Sequence, residues 1–248
     1  MKPLQHARIT AHRYGGEWQD WIALHDWIDR SKMIFPSMQH RMFLHSDFGE
    51  WLTLQIHGES ITARDGTVIA TRTLFRDHQV EDMGRIVPLA EWLREIDAEY
   101  WKRRRPPPRR LESIREAPAQ GLAARWGGVP EDYQPLIAFF DTPRAFAPEQ
   151  AETADLITHN SFGIFLAEEL LGTTLSLTAN GASPSSLIST RSAAEDLVYA
   201  RLGFIPAAGN LAARTRLKRW MCGSEVVGAL RARQHQASLS SLDSERTS

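Results

Sequence analysis

The sequence predicts an α+β, mainly helical protein: two tandem repeats, each of about four helices plus one β-hairpin, packed as a pseudo-dimer. Three observations predict it. Short strings recur in the same order in both halves. Apolar residues return at helical spacing within each half. A turn dipeptide, Asp65-Gly66 in one half and Asn180-Gly181 in the other, follows the helical stretch each time.

The matches run as follows. "RYGGEWQDW" (13–21) answers "RWGGVPEDY" (125–133), and "LHDWID" (24–29) answers "LIAFFD" (136–141). "HRMFLHSDFGEW" (40–51) answers "ADLITHNSFGIF" (154–165), sharing His45 with His159, Phe48 with Phe162 and Gly49 with Gly163. Gly58 pairs with Gly172, "MGRIVP" (83–88) with "LGFIP" (202–206), and Trp101 with Trp220. The organisation expected is repeat one over 1–101, a basic Pro-rich linker over 102–120, a degenerate repeat two over 121–222, and a C-terminal helix and disordered tail over 223–248.

Within repeat one, Trp21, Leu24, Ile28 and Lys32 recur at helical spacing, predicting a helix over 17–32. Ser37 is the expected cap of a second helix running to His57. "ITARDGTVIATR" (61–72) alternates around Asp65-Gly66 and reads as a hairpin. A short helix near 75–83 follows, then one from Pro88, which suits a first helical turn, to about Tyr100. In the linker, "KRRRPPPRR" (Lys102–Arg110) favours extended, solvated polyproline II.

At 248 residues with 42% hydrophobic residues and a mean hydropathy of −0.35, the chain has enough apolar material for a real core. A net charge of −1 gives no global field for nucleic acid or an anionic membrane. No apolar run is long enough to span a bilayer, and the N-terminus lacks a signal core. The single cysteine, Cys222, forms no internal disulfide and fits a reducing, cytoplasmic location. Any metal site must therefore use His, Asp and Glu.

The histidines are concentrated. Of nine, seven fall within the first 78 residues. His25 and Asp29 lie four apart on one predicted helix, and His78 and Asp82 repeat that spacing on another, so each pair shares a face. His40 and His45, five apart, stand about 140° apart around a helix. Gly49, one turn after His45, leaves room for a close approach. Three helices thus bring His25, Asp29, His45, His78 and Asp82 toward one point. Nitrogen and oxygen donors without thiolate suit Zn, Fe, Mn or Ni. His12, His57 and His235 read as surface residues. No P-loop, GxGxxG or serine-elbow motif is present.

"LHDWIDRSK", "HRMFLHSDFG", "DGTVIATR" and "HQVEDMGRIVPLAEWL" together resemble a small His-rich domain family of bacteria and their phages, whose pattern is "IHxFxDxSK…HRxxLHxxxG…HVxEDLGxIP". The resemblance covers nearly all of repeat one and is weak in repeat two. It implies His6, His25, Asp29, Lys32, His40, Arg41, His45, Gly49, His78, Asp82 and Gly84 as the shared positions, and a fusion of two domains. It implies no particular reaction.

The reading that follows is a metal-dependent hydrolase of a phosphoester or nucleotide. Its ligands are His25, Asp29, His45, His78 and Asp82, with His6 added by the resemblance as a further candidate. His40 serves as acid/base, and Arg41 with Lys32 holds a small anionic substrate. The alternative is a non-enzymatic binding or regulatory protein, in which the histidines form a structural polar network and repeat two is a partner surface. Nucleic-acid contact through Lys102–Arg110 is a third, disfavoured reading. No membrane partner is expected, and the chain is expected to be a monomer or homodimer.

Overall fold

A computed structural model describes residues 1–97, 108–178 and 186–222. Repeat one runs α1 (Pro3–Tyr14), α2 (Trp18–Ile28), α3 (Arg41–Leu44), α4 (Asp47–His57), β1 (Ser60–Thr62), β2 (Val68–Ala70), α5 (Thr71–Met83) and α6 (Leu89–Leu93). Repeat two runs α7 (Glu112–Glu116), α8 (Pro118–Trp126), α9 (Gln134–Asp141), α10 (Pro143–Phe146), α11 (Ala151–Thr158), α12 (Ser161–Leu171), β3 (Thr174–Leu177), β4 (Ser186–Ser189), α13 (Thr190–Leu202) and α14 (Ala208–Ala213). Each repeat has one antiparallel two-stranded hairpin, pairing Ser60 with Ala70 and Thr174 with Ser189. The expected mainly helical, two-repeat architecture is present. The Asn180-Gly181 turn, Trp101, Lys102–Pro107 and the tail from 223 lie outside the described residues.

The two copies are built on the same local devices. Trp21 Nε1 donates to the Gly15 carbonyl at 3.0 Å, and Tyr133 Oη donates to the Gly127 carbonyl at 2.8 Å. Each ring thereby closes a Gly-Gly turn whose glycines all have positive φ. Arg13 and Tyr14 clamp Asp77 on α5, as Arg125 and Trp126 clamp Asp196 on α13. Asp47 accepts from Leu89 N at 2.8 Å, and Ser161 Oγ accepts from Ala208 N at 3.1 Å, so each pins the start of the next helix. Helices α5 and α13 are both 13 residues long and both end on a left-handed glycine, Gly84 and Gly203.

Several expected boundaries need correction. The helix expected over 17–32 stops at Ile28. A 3-10 turn, Arg30–Met33, follows and brings Lys32 over Asp29 as an i,i+3 ion pair, the pairing that tighter winding eclipses. The helix expected from Ser37 to His57 is broken at His45, whose φ −99° and ψ 58° are not helical. Ser46, not Ser37, caps the longer piece, accepting from Gly49 N at 3.3 Å. The break lets the Leu44 carbonyl lie against the Gly49 Cα, where a Cβ would stand 1.9 Å from that oxygen. Gly49 is thus needed for a backbone crossing rather than for access to His45. The same device recurs at His159, Asn160 and Gly163, where a Cβ would stand 1.6 Å from the Thr158 oxygen.

Helix α5 starts at Thr71, directly from the hairpin, and α6 ends at Leu93. The segment expected as linker to residue 120 is already helical in α7 and α8. Leu111 and Ile114 are buried there, and Gly121 allows α8 to cross Ile114 closely.

The repeats pack about a pseudo-two-fold axis. Helix α6 packs on α11 of the other copy, and its counterpart α14 packs on the 3-10 turn Met38–His40, the counterpart of α11. This reciprocity is the mark of an isologous dimer. Phe43 meets Phe162 edge-on at 5.4 Å, and Ile96 bridges to Thr215. One buried apolar core runs through both copies.

Candidate metal centre

Four side chains from three elements of repeat one converge. Asp29 follows α2, His45 sits in the break before α4, and His78 and Asp82 share a face of α5. All four are buried, none more than 4% exposed. One donor atom from each lies within 4.8 Å of all the others. His45 Nε2 is 3.6 Å from Asp29 Oδ1 and 3.4 Å from Asp82 Oδ2, and His78 Nε2 is 3.7 Å from each of the same oxygens. These separations are too long for directed hydrogen bonds. Asp29 Oδ1, His45 Nε2 and His78 Nε2 have no hydrogen-bond partner among the described residues, whereas Asp82 Oδ2 meets the Arg41 guanidinium at 2.8 Å. A buried polar atom without a partner costs about 1–3 kcal/mol. Three such atoms facing one another beside a carboxylate oxygen therefore call for something between them. Ligand bonds of about 2.0–2.1 Å set neighbouring tetrahedral donors roughly 3.3–3.4 Å apart, which matches the shorter separations.

Most of the atoms around this group are held, although His45 Nδ1 has no hydrogen-bond partner among the described residues. Lys32 Nζ donates to Asp29 Oδ2. Asp82 Oδ1 meets the Met1 ammonium and lies 3.3 Å from His6 Nε2. Arg41 Nη2 stands 2.8 Å from Asp82 Oδ2 as an ion pair. Its directed bonds from Nη1 go to the carbonyls of Asp82 at 3.2 Å and Met221 at 2.7 Å, so repeat two helps fix it. Such outer partners orient ligands in metal sites.

The structure corrects the place of His25. It is not in the group of four: its Nδ1 contacts His78 Nδ1 at 2.9 Å and its Nε2 contacts Thr10 Oγ1 at 2.9 Å, so neither nitrogen is available as a ligand. The i,i+4 spacing put it on the right face, but the end of α2 carries only Asp29 into the cluster. His25 instead aims His78. His6 also stands outside the four, stacked on His78 at 3.9 Å and bonded through Nδ1 to Glu81 at 2.6 Å. His40 is buried edge-on to His45 at 5.4 Å, with Nδ1 on Ser31 Oγ at 2.9 Å and Nε2 without a partner among the described residues. Arg41 is buried, whereas Lys32 is partly exposed, bridging Asp29 to the Met1 carbonyl. Sequence spacing misses Thr10, Ser31 and Glu81 as partners, although Ser31 and Glu81 stand at lettered positions of the "DxSK" and "HVxEDLG" strings and Thr10 lies one turn beyond His6 on α1. His12 is exposed as expected, His57 is half-buried, and His235 lies outside the described residues.

Electrostatics follow from burial. Burial, with His78 and His6 alongside, pushes His25 down to about 2. Burial beside His45 does the same to His40, also to about 2, which leaves that ring neutral. Burial pushes His45 to about 4 in spite of Asp82. For His78, burial acts downward, but Asp29 and Asp82 outweigh it and hold the ring above its ordinary value. Burial would raise both carboxyls, yet the surrounding histidines, with Lys32 at Asp29, hold both well below the usual carboxylate range.

The family described as a domain of unknown function (DUF6915) matches residues 1–102 and, a second time, residues 116–221. The chain belongs to the DUF6915 family. It contains two copies of the domain, with the family boundary close to the start of α8. No curated protein and no solved structure matches the chain. Among the described residues, no helix is long and apolar enough to cross a membrane.

The second DUF6915 copy keeps part of the cluster. Asp141 and His159 stand where Asp29 and His45 stand, while Leu197 and Arg201 replace His78 and Asp82. His159 Nδ1 bonds the Asp155 carbonyl at 2.8 Å. Burial and the neighbouring Arg201 push this ring down to about 4, so it is neutral when folded. Its unfolded value of about 6.5 is higher, so the unfolded chain binds the proton first as pH falls. The stability it contributes is complete above about pH 6.5 and is lost as pH falls toward 4. Between pH 7 and pH 5 this is expected to cost about 2 kcal/mol. Urea denaturation of His159→Gln, which retains a donor and an acceptor, checks it. The variant's loss over that range is expected to be smaller by about that amount.

Proposed function

We propose that repeat one holds one divalent ion between Asp29, His45, His78 and Asp82, and that the chain is a metal-dependent hydrolase of a phosphoester or nucleotide. The observation that carries this is a buried group of four donor atoms within 4.8 Å of one another, three of which have no hydrogen-bond partner among the described residues. Their all-nitrogen-and-oxygen set suits Zn, Fe, Mn or Ni. Such an ion, when bound, supplies an ionised water near neutral pH. Around it, His25 and Thr10 hold His78 in place, and Arg41 holds Asp82. Lys32 is the cation of the cluster's side chains that reaches solvent, and so the one to meet an anionic oxygen. His40, held neutral and with Nε2 without a partner among the described residues, serves as a hydrogen-bond acceptor; a pKa pushed down to about 2 makes it a weak base near neutral pH.

The test is metal content after expression with Zn, Mn, Fe and Ni supplied, together with turnover of phosphomonoesters, phosphodiesters and nucleotides with and without chelator. About one ion per chain and chelator-sensitive turnover are expected. Less than about 0.2 ion per chain removes the metal centre. A bound ion with no turnover on any of these substrates removes the hydrolase.

A second reading has its own support. Lys32, Arg41 and the Met1 ammonium already stand against the two carboxylates. That arrangement supports a non-enzymatic binding or regulatory protein, with the histidines as a structural network. A melting temperature indifferent to chelator would favour it.

A further inference from the structure

We infer that repeat two is a second cation site of the same design whose cation is covalent: the guanidinium of Arg201 occupies the position that an exchangeable ion takes in repeat one. The correspondence is positional. Arg201 lies two residues before Gly203 as Asp82 lies two before Gly84, on helices of equal length that both leave a hairpin. Asp141 follows Tyr133 by the same interval that separates Asp29 from Trp21. His159 and His45 share a non-helical conformation, with ψ 58° in both, and each donates its N–H four residues back at 2.7 Å.

The contacts then differ. In repeat one the retained donors, Asp29 Oδ1 and His45 Nε2, have no hydrogen-bond partner among the described residues. In repeat two both are satisfied by one group. Arg201 Nη1 reaches Asp141 Oδ1 at 2.8 Å and His159 Nε2 at 2.8 Å, and Nη2 reaches Asp141 Oδ2 at 3.3 Å. A carboxylate and a neutral imidazole that receive the same cation are an ion-site donor pair with the ion replaced. The surrounding cation is kept as well: Arg144 pairs with Asp141 at i,i+3, as Lys32 pairs with Asp29. The two substitutions act together. Arg201 removes the second carboxylate while supplying positive charge, and Leu197 removes the fourth donor and is fully buried. On the reading proposed for repeat one, the chain thus pairs one copy whose site is exchangeable with one copy whose site is permanently filled.

The inference is tested by Arg201→Asp in the full chain. This leaves Asp141, His159 and the new carboxylate facing one another, with Arg144 still beside Asp141. Wild type and variant are titrated with Co(II), read by its visible absorption and by ion content after gel filtration. The variant is expected to hold one more ion per chain than wild type, and His159→Ala in the variant background is expected to remove it. The increment reads repeat two alone. If wild type holds none and the variant one, the metal centre proposed for repeat one fails, and what stands is that Arg201 fills a cation position in repeat two. A folded variant with wild-type ion content overturns it, as does an added ion that survives His159→Ala. Should the variant be unfolded without metal, recovery of its circular dichroism on adding Co(II) supports the inference, and no recovery overturns it.

Discussion

Chelation is expected to lower the melting temperature of the wild-type chain by roughly 5–10 °C and to leave His78→Ala unmoved. The size follows from linkage. An ion held at about a hundred times its dissociation constant stabilises the folded state by about 2.7 kcal/mol. One kcal/mol shifts the midpoint of a chain of this size by about 2–4 °C. His78 is the residue to remove because its Nε2 belongs to the four converging atoms and its Nδ1 contact is to His25, a neutral ring. Removing Asp82 would confound the result. Arg41 would be left as a buried charge without its carboxylate, which alone costs about 3–5 kcal/mol. The measurement is a thermal melt of both proteins with and without EDTA. Equal shifts in the two, or none in either, would mean that the cluster is a polar network without an ion.

Gly49→Ala is expected to destabilise the chain by about 3 kcal/mol or more, and Gly163→Ala by a similar amount, as measured by urea denaturation. Neither glycine has an unusual φ, so the cost is steric. The added methyl would meet backbone, at 1.9 Å from the Leu44 oxygen and 1.6 Å from the Thr158 oxygen, where no side-chain rotation can relieve it. The chain must separate the two helical pieces on either side of His45 or His159. In repeat one that motion also moves His45 relative to Asp29 and Asp82, so Gly49→Ala is expected to weaken ion binding where Gly163→Ala does not. A cost below about 1 kcal/mol at both positions would show that the break is loosely packed.

Much of this was legible in the sequence. The shared frame around the Gly-Gly turn and the Phe-Gly pair marked the duplication, because a device such as Trp21 closing on Gly15 needs a fixed spacing that survives divergence. The spacing of His78 and Asp82 placed both on one face of α5, and both are in the cluster. The same rule applied to His25 and Asp29 gave only half the answer. It does not report where a helix ends, and α2 ends at Ile28. Nor did spacing reveal the break at His45. The apolar pattern runs through it, and only the contact of the Leu44 carbonyl with Gly49 requires it. The role of Arg201 was in principle readable from its distance to Gly203, but a position says nothing of charge compensation until its partners are known.

The sequence by itself determined the two copies, the mainly helical elements with one hairpin each, the concentration of histidines in the first copy, and a donor set without thiolate. These are local properties: periodicity, turn chemistry and composition are fixed by residues a few positions apart. The tertiary structure alone decided which side chains meet. Asp29, His45, His78 and Asp82 come from three elements, and their convergence depends on where each helix stops and how the helices cross. The same crossings turned His25 outward to Thr10, drew Met221 of the second copy onto Arg41, and set Arg201 where the first copy has Asp82. Long-range packing selects among the faces that local spacing allows, and it is packing that makes one copy an open set of donors and the other a closed ion pair.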